Sequence, residues 1–447
     1  MARQPGALSA APKQLLTVTD GVFLTAGMII GALIFEAPST VAASTSGSAE
    51  FLLAWLFGGV VSLCGALVYA ELAARHPDTG GEYAFLTRGM GRGVAFLFAW
   101  SRMTVIQTGA IAAVAFVFGN YASEIFRLGE NSPALWAAIA VAVLTLLNVA
   151  GTLQSKTVQK AMEIALIAGL VSFSIAALIV GDSPKPAAAP ASGGSFGFAM
   201  IFVLLAYGGW NEAAYLAGEV RDARRSMTRI LVIGVLAVTA LYLLVNLGYL
   251  AVLGHGGIRQ SKAVAADVMR ALAGERGAVW LALIVCVSVL TTINAAIFTG
   301  ARTSYAFGRD FAVFRRLGTW RETGSTPANA LLLQGGITLV LVALGSGTPD
   351  GFSAMAAYTS PVFWAFMFLT GTTLFVLRKR DPDHGAFRVP LYPLVPIAFS
   401  LMCLYMLYSS IDYVRNPEYG PKFGLAVLAG LAVMAAGVPL YLLAGRK

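Results

Sequence analysis

Charged side chains are scarce in this chain. Asp, Glu, Lys and Arg together make up 12% of its 447 residues, about half of what a soluble globular domain carries. With so little charge, 57% hydrophobic residues and a mean hydropathy of +0.75, a water-soluble fold is excluded and the chain reads as an all-α, polytopic membrane protein. Cysteine and histidine are equally sparse, three of each. Cys64, Cys286 and Cys403 each lie inside an apolar run, which argues against a disulfide framework and for core packing. His76, His255 and His384 stand in separate loops without the paired spacing of a metal centre, so neither a metal nor a cofactor is expected. Enzyme motifs are missing too. Gly193-Gly194-Ser195-Phe196-Gly197 has the letters of a nucleophile elbow but sits in a Pro/Ala/Gly/Ser-rich linker. Gly89-Met90-Gly91-Arg92-Gly93 has no strand before it and no phosphate-binding lysine.

What the chain does have is long apolar runs. Taking about 20 residues as a span, they fall near 19–44, 51–74, 94–126, 134–151, 158–181, 197–219, 228–253, 278–301, 328–345, 351–377, 390–410 and 423–444, which predicts twelve helices. With the N-terminus inside, 22 of the 31 Lys and Arg residues fall in cytoplasmic segments, as the enrichment of positive charge on that side requires. Both termini are therefore expected in the cytoplasm, in an inner or plasma membrane. The net charge of +9 is a topology signal with attraction to anionic lipid as a by-product. Charges scattered over so many short loops do not suit nucleic acid. Residues 1–18 lack a cleavable apolar core, so the first helix itself is expected to direct insertion.

Two spans carry glycines where a helix should be most regular: Gly27-Met28-Ile29-Ile30-Gly31 in the first, and Tyr207-Gly208-Gly209-Trp210 in the sixth. Glycine costs a helix interior roughly 1 kcal/mol relative to alanine, and an unpaired backbone group in hydrocarbon costs several more. A Gly-x-x-x-Gly packing contact accounts for Gly27 and Gly31 taken alone. The second interruption, five helices after the first, favours instead a carrier with an inverted five-plus-five repeat and a site at the two breaks. At the first break, the amides of Gly31, Ala32 and Leu33 are expected to face a carboxylate and the carbonyls of Met28 and Ile29 an amine.

Several stretches carry a family resemblance: Gly27 to Phe35; Glu71-Leu72 through Thr79-Gly80-Gly81-Glu82-Tyr83; Tyr207-Gly208-Gly209-Trp210-Asn211 with Glu219-Val220; and Asn294 to Arg302 with Tyr305 and Gly308-Arg309. Together they resemble the amino acid, polyamine and organocation superfamily, most closely its L-type amino acid transporters and their bacterial relatives. The resemblance spans all twelve segments in order. It implies a LeuT-like arrangement: a tail at 1–18, repeats at 19–181 and 197–380 joined by an external linker at 182–196, and two further helices within 381–447. It also implies a carboxylate-binding turn at Gly31, Ala32 and Leu33, and amine-binding carbonyls at Ile29, Leu205 and Gly208. The family often has Ser-Gly where this chain has Ala32-Leu33, and L-type relatives place an aromatic gate where this chain has Leu205. Occlusion is then expected to shift to Phe202, Tyr207 or Trp210, and Asn294 completes the substrate-binding set.

Coupling is read from the few charges at membrane depth. Many sodium-independent relatives carry a lysine in the fifth helix where this chain has Leu166; Glu163 stands one turn earlier, either as a proton carrier or as an interface partner of Lys160 or Lys156. Arg102 requires a carboxylate, with Glu163, Glu212 and Glu36 as candidates. Glu36 could alternatively rim the entry path or simply be solvated, and Glu219, beside Arg221, Arg224 and Arg225, could close a gate or form an interface salt bridge. Ser288, Thr291 and Thr292 offer hydroxyls for sodium, although such hydroxyls commonly bond their own helix. The expected function is transport of amino acids by alternating access, neutral L-amino acids first, by exchange or proton symport. Polyamine or cationic substrates and sodium coupling are the alternatives; a channel or a bilayer enzyme lacks a pore lining or a catalytic cluster. No obligate disulfide-linked subunit is expected.

Overall fold

A computed structural model describes residues 16–31, 33–76, 80–150, 156–181 (156–163 by their backbone), 196–218, 220–321, 326–382, 387–412, 414–415 and 420–444. Among them the architecture is helical throughout. Ten helices are long and apolar enough to cross a bilayer, and a bent pair makes an eleventh span.

That pair is the first span. α1 (Val18–Ile29) opens on a capping box in which the Thr17 side chain accepts from the Asp20 amide and the Asp20 carboxylate accepts from the Thr17 amide. It ends at Ile29, and α2 (Leu33–Ala43) departs at 48° to it. α3 (Ser48–Arg75) follows, then the short α4 (Gly81–Gly89). The third span is α5 (Arg92–Ser101), a π-helical stretch (Arg102–Ile106) and α6 (Gln107–Ile125). α7 (Ser132–Ala150) and α8 (Lys156–Val180) follow.

The sixth span is likewise in two parts. α9 (Phe196–Ala206) stops before Tyr207-Gly208-Gly209, and a 3-10 helix (Trp210–Gly218) continues. Runs of 3-10 helix beyond a few residues are uncommon because their hydrogen bonds are poorly aligned. α10 (Ala223–Gln260) and α11 (Val264–Asp310) overrun the expected spans, with kinks at Gly254 and Gly274. The segment expected as a loop between the seventh and eighth spans is thus largely helical, because glycines at positive φ turn the chain with little loss of helix. α12 (Ala328–Ser346), α13 (Gly351–Arg380), α14 (Leu394–Asp412) and α15 (Gly420–Ala444) finish the chain.

α10 packs along α3, α8, α1 and α2, while α13 packs against α6, α14 and α15. The interior holds the large aromatics Trp55, Tyr69, Tyr121, Tyr207, Tyr242 and Tyr249. Exposed side chains such as Ile179 and Leu425 are apolar, as a lipid-facing exterior requires.

Candidate functional site

The two interruptions lie against each other. Gly209 has φ +110°, and a Cβ there would stand 2.2 Å from the Met28 carbonyl oxygen and 3.2 Å from the Ile29 amide nitrogen. Only glycine takes that conformation cheaply and lets two backbones approach so closely. The break in the sixth span therefore rests on the last turn of α1.

A tyrosine on α10 ties the two ends together. The Tyr242 hydroxyl lies 2.8 Å from the Ile29 carbonyl oxygen and 3.0 Å from that of Ala206, so one buried proton serves the terminal carbonyls of both α1 and α9. The Ile29 oxygen also accepts the Gly31 amide at 2.8 Å, and the Leu205 oxygen accepts the Gly208 amide at 3.0 Å. The polar main chain at the breaks is thus internally bonded, which is how interrupted helices persist in an apolar setting. On the far side α2 begins at Leu33, and the first-turn amides of a helix lack intrahelical acceptors.

Side chains around the breaks are largely apolar or spent. Tyr207 donates to the Trp55 carbonyl at 3.0 Å and packs on Trp55 and Tyr242. Trp210 packs edge-on against Tyr69 and Phe399. Phe202 lies between Phe198 and Phe352. On α11, the methyl of Thr292 would lie 3.5 Å from a Cβ on Gly31, but the hydroxyls of Thr291 and Thr292 both bond the Ser288 carbonyl. Asn294 accepts from Asn148 of α7. Glu36 is buried on α2, with one carboxyl oxygen bonded to Asn120 at 2.9 Å and the other without a partner. Ala32, Glu219 and the side chain of Glu163 lie outside the described residues.

Beyond the second break is a polar cluster. Arg102, at the start of the π-helical stretch, sends Nη2 to both oxygens of Glu212 at 2.8 Å and Nη1 to Glu82 at 3.4 Å. Its guanidinium lies over the Tyr215 ring at 5.0 Å. Glu82, on α4, also accepts from Tyr69 at 2.7 Å, Asn211 at 3.3 Å and Tyr215 at 3.2 Å. Of the carboxylates expected for Arg102, Glu212 is in place, while Glu36 bonds Asn120 instead. Glu82 was missed as a partner: it belongs to the family motif but sits 20 residues away in sequence, and nothing local marks the pairing. Burial raises the Glu82 carboxyl above the usual carboxylate range; Arg102 pulls it down and Glu212 adds to the rise. Tyr242 was missed as well, since a tyrosine in an apolar helix has no sequence mark distinguishing a bridge from a core filler.

The fold defines a class: a multi-pass helical membrane protein in which two interrupted spans pack against each other. Residues 16–434 match the amino acid permease family. The chain belongs to that family and is an amino acid transporter, not an enzyme. It is 29% identical over 427 residues to the serine/threonine exchanger SteT of Bacillus subtilis, covering 94% of each chain. It is also 29% identical over 429 residues to the mouse b(0,+)-type amino acid transporter 1, covering 92% of this chain and 85% of that one. With the human cystine/glutamate transporter it shares 27% identity over 451 residues, covering 98% and 87% respectively.

Proposed function

We propose that the protein exchanges neutral L-amino acids across a cell membrane, holding the substrate between the two broken spans and moving it by alternating access. The observation that carries this reading is the contact of Gly209 with the Met28 carbonyl, under the Tyr242 hydroxyl shared by Ile29 and Ala206. It supports a twelve-helix, two-repeat arrangement in which each half contributes one break. The substrate carboxylate takes the first-turn amides of α2, where the helix dipole favours negative charge, and the ammonium takes carbonyls at the ends of α1 and α9.

Neutral substrates suit this setting because Arg102 is engaged by Glu212 and Glu82 and the side chains packed around the breaks, Phe202, Tyr207 and Trp210, carry no charge. Exchange is the preferred mode, in keeping with the serine/threonine exchanger among the relatives. The Arg102–Glu82–Glu212 cluster serves as a gate joining α4, the third span and the sixth, while both termini lie in the cytoplasm.

The test is uptake of radiolabelled serine into proteoliposomes with and without unlabelled serine inside. Exchange predicts uptake only with internal amino acid. Equal accumulation in empty vesicles driven by a pH gradient would replace exchange with proton symport and make Glu163 the first group to substitute.

A further inference from the structure

A cavity lies at the end of α13, on the side that the bias of Lys and Arg assigns to the cytoplasm. It measures about 290 Å³, and four of its lining residues are the cations Arg75, Arg378, Lys379 and Arg388. Two of these are held rigidly. Buried Glu71 accepts from Nε of Arg75 at 2.9 Å, from Nε and Nη2 of Arg378 at 2.7 and 2.5 Å, and from the Val389 amide at 2.7 Å. Arg378 also stacks on Tyr392, 3.7 Å from the ring centroid. Arg75 also donates from Nη1 to the Asp381 carbonyl, and Arg388 from Nη2 to the Pro382 carbonyl, so these guanidinium planes are already ordered, and arginine's planar fork matches phosphate oxygens.

Tyr392, part of the cavity lining, has exposed apolar side chains beside it in sequence. Leu391 is 73% exposed and Leu394 66%, and both lie at or just before the start of α14. Cationic walls beside exposed leucines suit a group with a phosphate head and an apolar tail. We propose that the cavity binds a phosphate ester, supplied either by the headgroup of an anionic lipid or by soluble phosphate. Basic pockets between membrane helices take such headgroups on general electrostatic grounds. This inference is independent of which amino acid the protein carries.

The experiment uses the purified full chain in detergent, offered equal amounts of phosphatidylglycerol and phosphatidylcholine and examined by native mass spectrometry. The wild type is expected to retain phosphatidylglycerol about tenfold over phosphatidylcholine, a difference of about 1.4 kcal/mol in all. Lys379→Ala combined with Arg388→Ala, which leaves Arg75 and Arg378 in place, should lower the ratio several-fold. These two positions are chosen because neither carries the Glu71 network, and an unchanged melting temperature in phosphatidylcholine confirms that the variant folds. If lipid shows no preference but millimolar inorganic phosphate raises the melting temperature of the wild type and not of the variant, the same site takes soluble phosphate. Absence of both effects overturns the proposal, and so does a lipid preference that the double substitution leaves unchanged. Should the double variant fail to fold, the wild-type comparison of the two lipids and the charge-preserving Arg388→Lys decide the matter.

Discussion

Gly209 shows how much one missing methyl group determines here. Its φ of +110° and the 2.2 Å that would separate a Cβ from the Met28 carbonyl make alanine costly twice over. Left-handed backbone alone costs about 1–2 kcal/mol, and displacing the last turn of α1 adds overpacking strain. Gly209→Ala is therefore expected to lower stability by about 2 kcal/mol or more and to abolish uptake, read by thermal unfolding and proteoliposome flux. At Gly31, where a Cβ would meet only ordinary van der Waals contacts, alanine should leave stability nearly unchanged. Tyr242→Phe removes the proton shared by Ile29 and Ala206 and leaves buried carbonyls short of a donor. The expected loss is about 1–3 kcal/mol, with transport reduced more than folding.

At the scale of elements, the interruptions were legible because glycine inside an apolar span contradicts local helix preference, and such a contradiction needs a reason. The chain read alone also located Arg102 as a buried cation in need of a carboxylate. It did not show that α4, a nine-residue helix in a segment expected as a loop, carries Glu82 back into the bundle. Nor did it show that the third span winds as a π-helix from Arg102. Both depend on contacts between residues far apart in sequence, and no periodicity encodes them.

The cluster formed by these elements makes two predictions. Replacing Arg102 with leucine leaves buried Glu82 and half-buried Glu212 without their cation and should cost about 3–5 kcal/mol. Glu82, whose carboxyl is raised mainly by burial, binds its proton more tightly in the folded protein than in the unfolded chain. Stability should accordingly fall as pH rises from the ordinary carboxylate value through the raised one. Glu82→Gln should flatten that slope, as measured by unfolding at a series of pH values. A slope unchanged by the substitution would assign the titration to another group.

For the whole molecule, composition dictated the membrane setting and the apolar runs placed most of the spans. The long-range fit of one break against the other was only implied by their spacing, because register between distant helices is set by packing. The most direct test of the account is a cryo-EM structure with a bound neutral L-amino acid. The account predicts its carboxylate on the first-turn amides of α2 and its ammonium on carbonyls at the ends of α1 and α9, with the Gly31–Ile29 hydrogen bond opened. An amino acid held by charged side chains elsewhere, with both breaks unchanged from their present internal bonding, would contradict it.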